Sequence, residues 1–72
     1  MTIHVAHRGD LAGLRPVKID GKLVGWCRQV ARRDTAGTQV RFYLPGDTVA
    51  YATFETVKDL RAALPRVLAE NA

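Results

Sequence analysis

The sequence predicts an α+β domain: a four- to five-stranded antiparallel sheet of consecutive hairpins, flat or curled, packed against one C-terminal helix. Three observations predict it. Segments with apolar residues at every second position run from residue 2 to residue 54. Glycine-containing turn signals separate them at Asp20-Gly21, Asp34 to Gly37 and Pro45-Gly46. Then the period changes, and Val57, Leu60, Leu64, Val67 and Leu68 recur at helical spacing.

The elements follow in order. Thr2 to Ala6 alternates polar and apolar and reads as a short first strand. Arg8 to Leu14 holds two glycines and reads as a loop. Arg15 to Asp20 carries Val17 and Ile19 two apart and reads as a strand. Asp20-Gly21 fits a two-residue hairpin loop of type I′, which needs positive φ at both central positions. Leu23 to Arg33 is the longest strand, and Asp34 to Gly37 reads as a type I turn ending in a glycine bulge. Gln39 to Leu44 and Val49 to Phe54 complete the sheet around a type II turn at Pro45-Gly46. Thr56 caps the helix, with Asp59 three residues on as a variant capping box. Pro65 lacks a donor and crowds the carbonyl of Arg61, so the helix should kink there or stop at Leu64.

These turns imply a register. A two-residue loop pairs Ile19 with Lys22 and Val17 with Val24, and the Gly37 bulge pairs Asp34 with Thr38 and Val30 with Phe42. Val24, Trp26 and Val30 then face the core beside Val17, Ile19, Val40, Phe42 and Leu44. The opposite face carries Lys18, Leu23, Cys27, Gln29, Ala31, Arg33, Gln39, Arg41 and Tyr43. By the same alternation Arg28 and Arg32 fall on the core side, with their charged ends reaching water at the margin. A bulge in the long strand would turn them outward.

Seventy-two residues make one domain with a thin core. Its parts are a strand and loop over 1–14, the sheet over 15–54 and the helix over 55–70. A lone Cys27 excludes an internal disulfide and a CxxC metal site. No apolar run approaches the roughly 18 residues of a membrane span, and residues 1–10 lack a signal-peptide core, so a cytoplasmic setting is expected. Net charge is +4. Residues 1–54 hold eight basic side chains against four acidic, whereas residues 55–72 hold three of each. The excess therefore belongs to the sheet. Eight of the eleven basic residues are Arg, whose planar fork suits phosphate or carboxylate, although a GC-rich coding sequence would also enrich Arg.

Few residues suggest chemistry. His4, His7 and Asp10 have ligand chemistry, but on a strand and loop their spacing scatters them, so no metal site is expected. Arg8-Gly9-Asp10 spells a cell-adhesion tripeptide that recurs by chance. Cys27 lacks a partnered base at any recognisable spacing and reads as a small sheet residue. No phosphate-cradling glycine loop precedes the helix. The expectation is a non-enzymatic domain without cofactor, metal or small-molecule substrate. Its most substantial constellation is the basic sheet face, where Arg33, Arg41, Lys18, Gln29, Gln39 and Tyr43 can meet nucleic acid, joined by Arg28 and Arg32 if the long strand bulges. Arginine supplies counterion release, Gln and Arg can reach base edges, and Tyr43 can stack on an unpaired base. The competing expectation is a protein partner or homodimer, engaged through an edge strand or the helix. A phage-type accessory protein that binds a host protein would have this form.

Trp26 within an Arg-bearing strand, the Asp34 to Gly37 turn, and Phe54-Glu55-Thr56 leading into the helix resemble a known pattern. It belongs to the three-stranded-sheet-plus-helix DNA-binding domains of plant AP2 factors and phage integrase arms. The chain departs from it by a further strand between the turn and Phe54. The resemblance implies DNA contact through the sheet. Small archaeal chromatin proteins of about seven kilodaltons are similar in expected architecture alone, and architecture does not carry function.

Overall fold

The computed structural model describes residues 2–7, 9, 13–32, 34 and 36–71, with Asn71 as backbone. Five strands and one helix follow one another: β1 (Ile3–Val5), β2 (Arg15–Ile19), β3 (Lys22–Ala31), β4 (Thr38–Tyr43), β5 (Ala52–Phe54) and α1 (Val57–Asn71). The strands form one antiparallel meander in sequence order, with β1 and β5 as its edges, and the helix packs with it. The expected class is the one observed.

Local chemistry accounts for the turns. Asp20 and Gly21 both have positive φ, 51° and 82°, and Ile19 pairs with Lys22 as a two-residue type I′ loop requires. The Asp20 carboxylate also accepts a hydrogen bond from the Thr2 amide, at 2.8 Å, which ties β1 to this hairpin. At Pro45-Gly46 the Asp47 amide donates to the Leu44 carbonyl at 3.0 Å, and Gly46 has φ 86°, as a type II turn demands. The final strand is shorter than its apolar pattern suggested, starting at Ala52, although the Tyr51 amide still donates to the Phe42 carbonyl.

The register departs from expectation in two places, and both act on β3. Lys18 pairs with Leu23, but Val17 pairs with Gly25 in place of Val24. Val24 is thus an extra residue in a β-bulge. Beyond the bulge, Cys27 faces Phe42 and Ala31 faces Thr38, a slip of three residues from the expected pairing of Val30 with Phe42. The connection spans residues 32–37, longer than the anticipated turn. It is closed by a bond from the Arg32 amide to the Gly37 carbonyl, and Gly37 keeps its positive φ. An odd slip moves every β3 side chain beyond it to the other face. Cys27, expected outside, is buried at 1% exposure, and Trp26 and Val30, expected inside, lie on the outer face.

The physical reason is space. A β-carbon on Gly25 would stand 2.6 Å from the Phe42 ring and 2.5 Å from the Tyr43 carbonyl oxygen. The small face of β3, Gly25 and Cys27, lets Phe42 sink completely, whereas Trp26 in that position would exclude it. Val5, Val17, Cys27, Val40 and Phe42 form one buried cluster with Leu60, Leu64 and Val67 of α1. Val24 still packs on its rim. The helix stripe is the one its spacing predicts. The Asp59 amide donates to the Thr56 hydroxyl at 3.1 Å, which is the expected cap. The helix does not stop at Leu64. It runs through Pro65, which is exposed.

Candidate nucleic-acid interface

The face of the sheet turned away from α1 is set by the register. Arg28 lies directly across from Arg41, and Trp26 directly across from Tyr43. His4 pairs with Lys18, which also faces Leu23, and Pro16 lies beside Trp26. Gln39 faces Val30, and Thr53 faces Arg41 from β5. The five strands place no carboxylate on this face. The described acidic residues lie off the strands: Asp20 and Asp34 in connections, Asp47 in the β4–β5 connection at the margin of this face, and Glu55, Asp59 and Glu70 at or on the helix.

The two arginines carry the electrostatics. Like charges placed directly opposite on adjacent strands destabilise a sheet. Among the described residues, neither Arg28 nor Arg41 forms an ion pair, whereas Arg32 pairs with Glu55 and Asp34, and Arg66 with Glu70. Arg28 is exposed and Arg41 half-buried. Their fixed positions present a double cation beside two aromatic rings.

A cleft of about 290 Å³ adjoins them, lined by Leu14, Trp26, Arg28, Tyr43, Asp47 and Thr48. The type II turn at Pro45-Gly46 brings Asp47 and Thr48 to it, while the Trp26–Tyr43 pairing supplies its aromatic surface. This volume lies at the small end of ligand sites and suits a single planar group.

The residues singled out from sequence divide accordingly. Arg41, Tyr43, Gln39 and Lys18 share the outer face. Arg28 joins them, turned outward after the bulge at Val24. Gln29 is exposed but lies opposite Val40, on the core side near the end of β3. Arg32 lies past the strand, with its guanidinium bound to Glu55. Arg33 lies outside the described residues, as do Arg8 and Asp10 of the adhesion-like tripeptide. Sequence reasoning missed Trp26. The signal that pointed to it was Gly25, since an isolated glycine in a strand marks a bulge or a close approach of another chain segment.

The remaining chemistry is sparse. Burial raises the Cys27 thiol above its ordinary pKa, with Arg15 opposing this in part, so the sulfur is a poor nucleophile. Among the described residues no group of three His, Cys, Asp or Glu could hold a metal ion, and no helix is long and apolar enough to cross a membrane. No protein-family model, curated protein or solved structure matches the chain.

Proposed function

We propose that this chain is a non-catalytic nucleic-acid-binding domain that holds single strands on the outer face of its sheet. The observation that carries this reading is the pair of adjacent cross-strand couples, Arg28 with Arg41 and Trp26 with Tyr43, on a face whose strands bear no carboxylate. An arginine pair that repels itself in the free protein is relieved by a bridging phosphate. Aromatic side chains beside a basic track are what unpaired bases stack upon, at about 1–3 kcal/mol per base. A duplex hides its base faces and would leave the rings without work. Lys18 and His4 extend the face toward β1. Docking of a protein strand is the weaker reading, because the two edge strands are only three residues long and offer few backbone groups.

Fluorescence anisotropy with labelled single strands and duplexes at two salt concentrations tests it. Single strands should bind more tightly than duplexes, with affinity falling as salt rises. Arg28→Ala and Arg41→Ala should each weaken binding and flatten the logarithmic salt slope by about 0.7, the value for one phosphate contact on a single strand. The double variant should also be slightly more stable when free, by roughly 0.2–1 kcal/mol, because the like-charge pair is gone. Absence of any binding at low salt would sink the reading and favour a protein partner.

A further inference from the structure

The cleft contains a group that phosphate binding does not explain. Asp47 is exposed, makes no ion pair among the described residues, and lines the cleft with Trp26, Tyr43 and Arg28. A carboxylate repels phosphate and accepts from donors; on a deoxy strand, which has no 2′-hydroxyl, the donors that can approach it are on base edges. An ionised carboxylate only accepts hydrogen bonds. Its two oxygens match two neighbouring donors, and guanine alone among the bases presents these on its Watson–Crick edge, at N1 and the N2 amino group. Adenine and cytosine set an acceptor beside their amino group, and thymine flanks its one donor with two carbonyls.

From this chemistry, and resting on the single-strand reading above, we infer that the cleft recognises one unpaired guanine. Its ring stacks against Trp26 and Tyr43, and the Asp47 carboxylate accepts from N1–H and N2–H. Arg28, at the junction of cleft and basic face, holds the adjoining phosphate. The cleft has room for a base. The type II turn fixes the backbone of Asp47, whose amide donates to the Leu44 carbonyl to close it.

The test uses Trp26 itself. It is the chain's one tryptophan, so fluorescence excited selectively at tryptophan, beyond the absorption of Tyr43 and Tyr51, reports on this cleft. Thymidine octamers carrying a single central guanine, inosine, adenine or cytosine are titrated against the protein. The guanine octamer should quench Trp26 and bind roughly tenfold or more tightly than the others, in the range of a bidentate base contact. Inosine, which lacks the N2 amino group, should lose most of that preference. Asp47→Asn keeps the shape but replaces one acceptor by a donor. It should abolish the guanine preference, the guanine octamer then binding no more tightly than an all-thymidine octamer. Equal affinity for all four octamers would overturn the guanine inference while leaving strand binding intact, as would a preference that survives in Asp47→Asn. Failure of every octamer to bind would overturn both. Free guanosine monophosphate should bind more weakly than the guanine octamer, because it lacks the flanking phosphates. Equal affinity would support the guanine cleft and overturn the strand as its source.

Discussion

Gly25 and Cys27 decide which side of β3 becomes core, and each can be tested at its own atom. Gly25 has no room for a side chain: a methyl group there meets the Phe42 ring and the Tyr43 carbonyl at 2.6 and 2.5 Å. Backbone on one side and a fully buried ring on the other leave little to yield. Gly25→Ala should therefore cost about 1–3 kcal/mol or more by overpacking, read as a lower midpoint in urea unfolding. Cys27 adds a pH dependence. Its thiol pKa is raised from 9.0 in the folded state, chiefly because burial disfavours the thiolate. Above pH 9.0 the unfolded chain releases this proton while the folded chain retains it. The thiol's contribution to stability is therefore complete below that pH and lost as pH rises through the folded value. The stability difference between the wild-type protein and Cys27→Ala should shift against the wild type between neutral pH and pH 10. A constant difference would show that the thiol ionises equally in both states. Slow reaction with thiol reagents under native conditions, made fast by urea, is the companion expectation.

At the scale of elements, the helix is governed by its cap and its proline. Thr56 satisfies the Asp59 amide, and Thr56→Ala should cost about 1 kcal/mol. Pro65 sits inside α1 yet is exposed, so it contributes little packing while forfeiting a backbone bond to Arg61. Pro65→Ala should raise stability, by at most the roughly 3 kcal/mol that separates the two residues in helix interiors. Thermal unfolding of the two variants should shift in opposite directions. What the sequence made legible follows the same division between local and non-local causes. The type I′ and type II turns, the cap and the helix stripe are each specified within a few residues, and each is where its residues place it. On β4 the alternation is unambiguous, because Val40 and Phe42 differ sharply from Gln39, Arg41 and Tyr43, so Arg41 and Tyr43 could be assigned to the outer face. On β3 it is not. Leu23, Gly25, Cys27, Gln29 and Ala31 on one side and Val24, Trp26, Arg28 and Val30 on the other both mix apolar with polar residues. The choice was then left to the bulge at Val24 and the connection over 32–37, and both depend on how Phe42 fits against its neighbours. Half of the candidate site, Trp26 and Arg28, was obscured for that reason.

The whole molecule is polarised, and this permits a test that separates a site from a net charge. A protein at +4 attracts nucleic acid to some degree wherever its cations lie. Here the strands of the outer face carry Arg28, Arg41 and Lys18 without acids, while α1 carries Lys58, Arg61 and Arg66 among Asp59 and Glu70. The least extent of the molecule is 21 Å, more than twice the Debye length of about 8 Å at physiological salt. Charges on the exposed side of α1 are therefore largely screened from a strand lying on the opposite side of the sheet. Lys58, Arg61 and Arg66 are all exposed, and Arg66 has only a weak i,i+4 partner in Glu70 at 4.0 Å, so replacing the three with Glu should leave the fold intact. It would also reverse the sign of the net charge. Binding of a single strand at physiological salt should nevertheless fall only a few-fold, with the salt slope unchanged, because the slope counts phosphates neutralised at contact and not distant charge. Arg28→Glu with Arg41→Glu changes fewer charges and should abolish binding. If the helix variant lost binding as completely as the sheet variant, the protein would be acting as a diffuse cation, and the outer face would have no special claim on the strand.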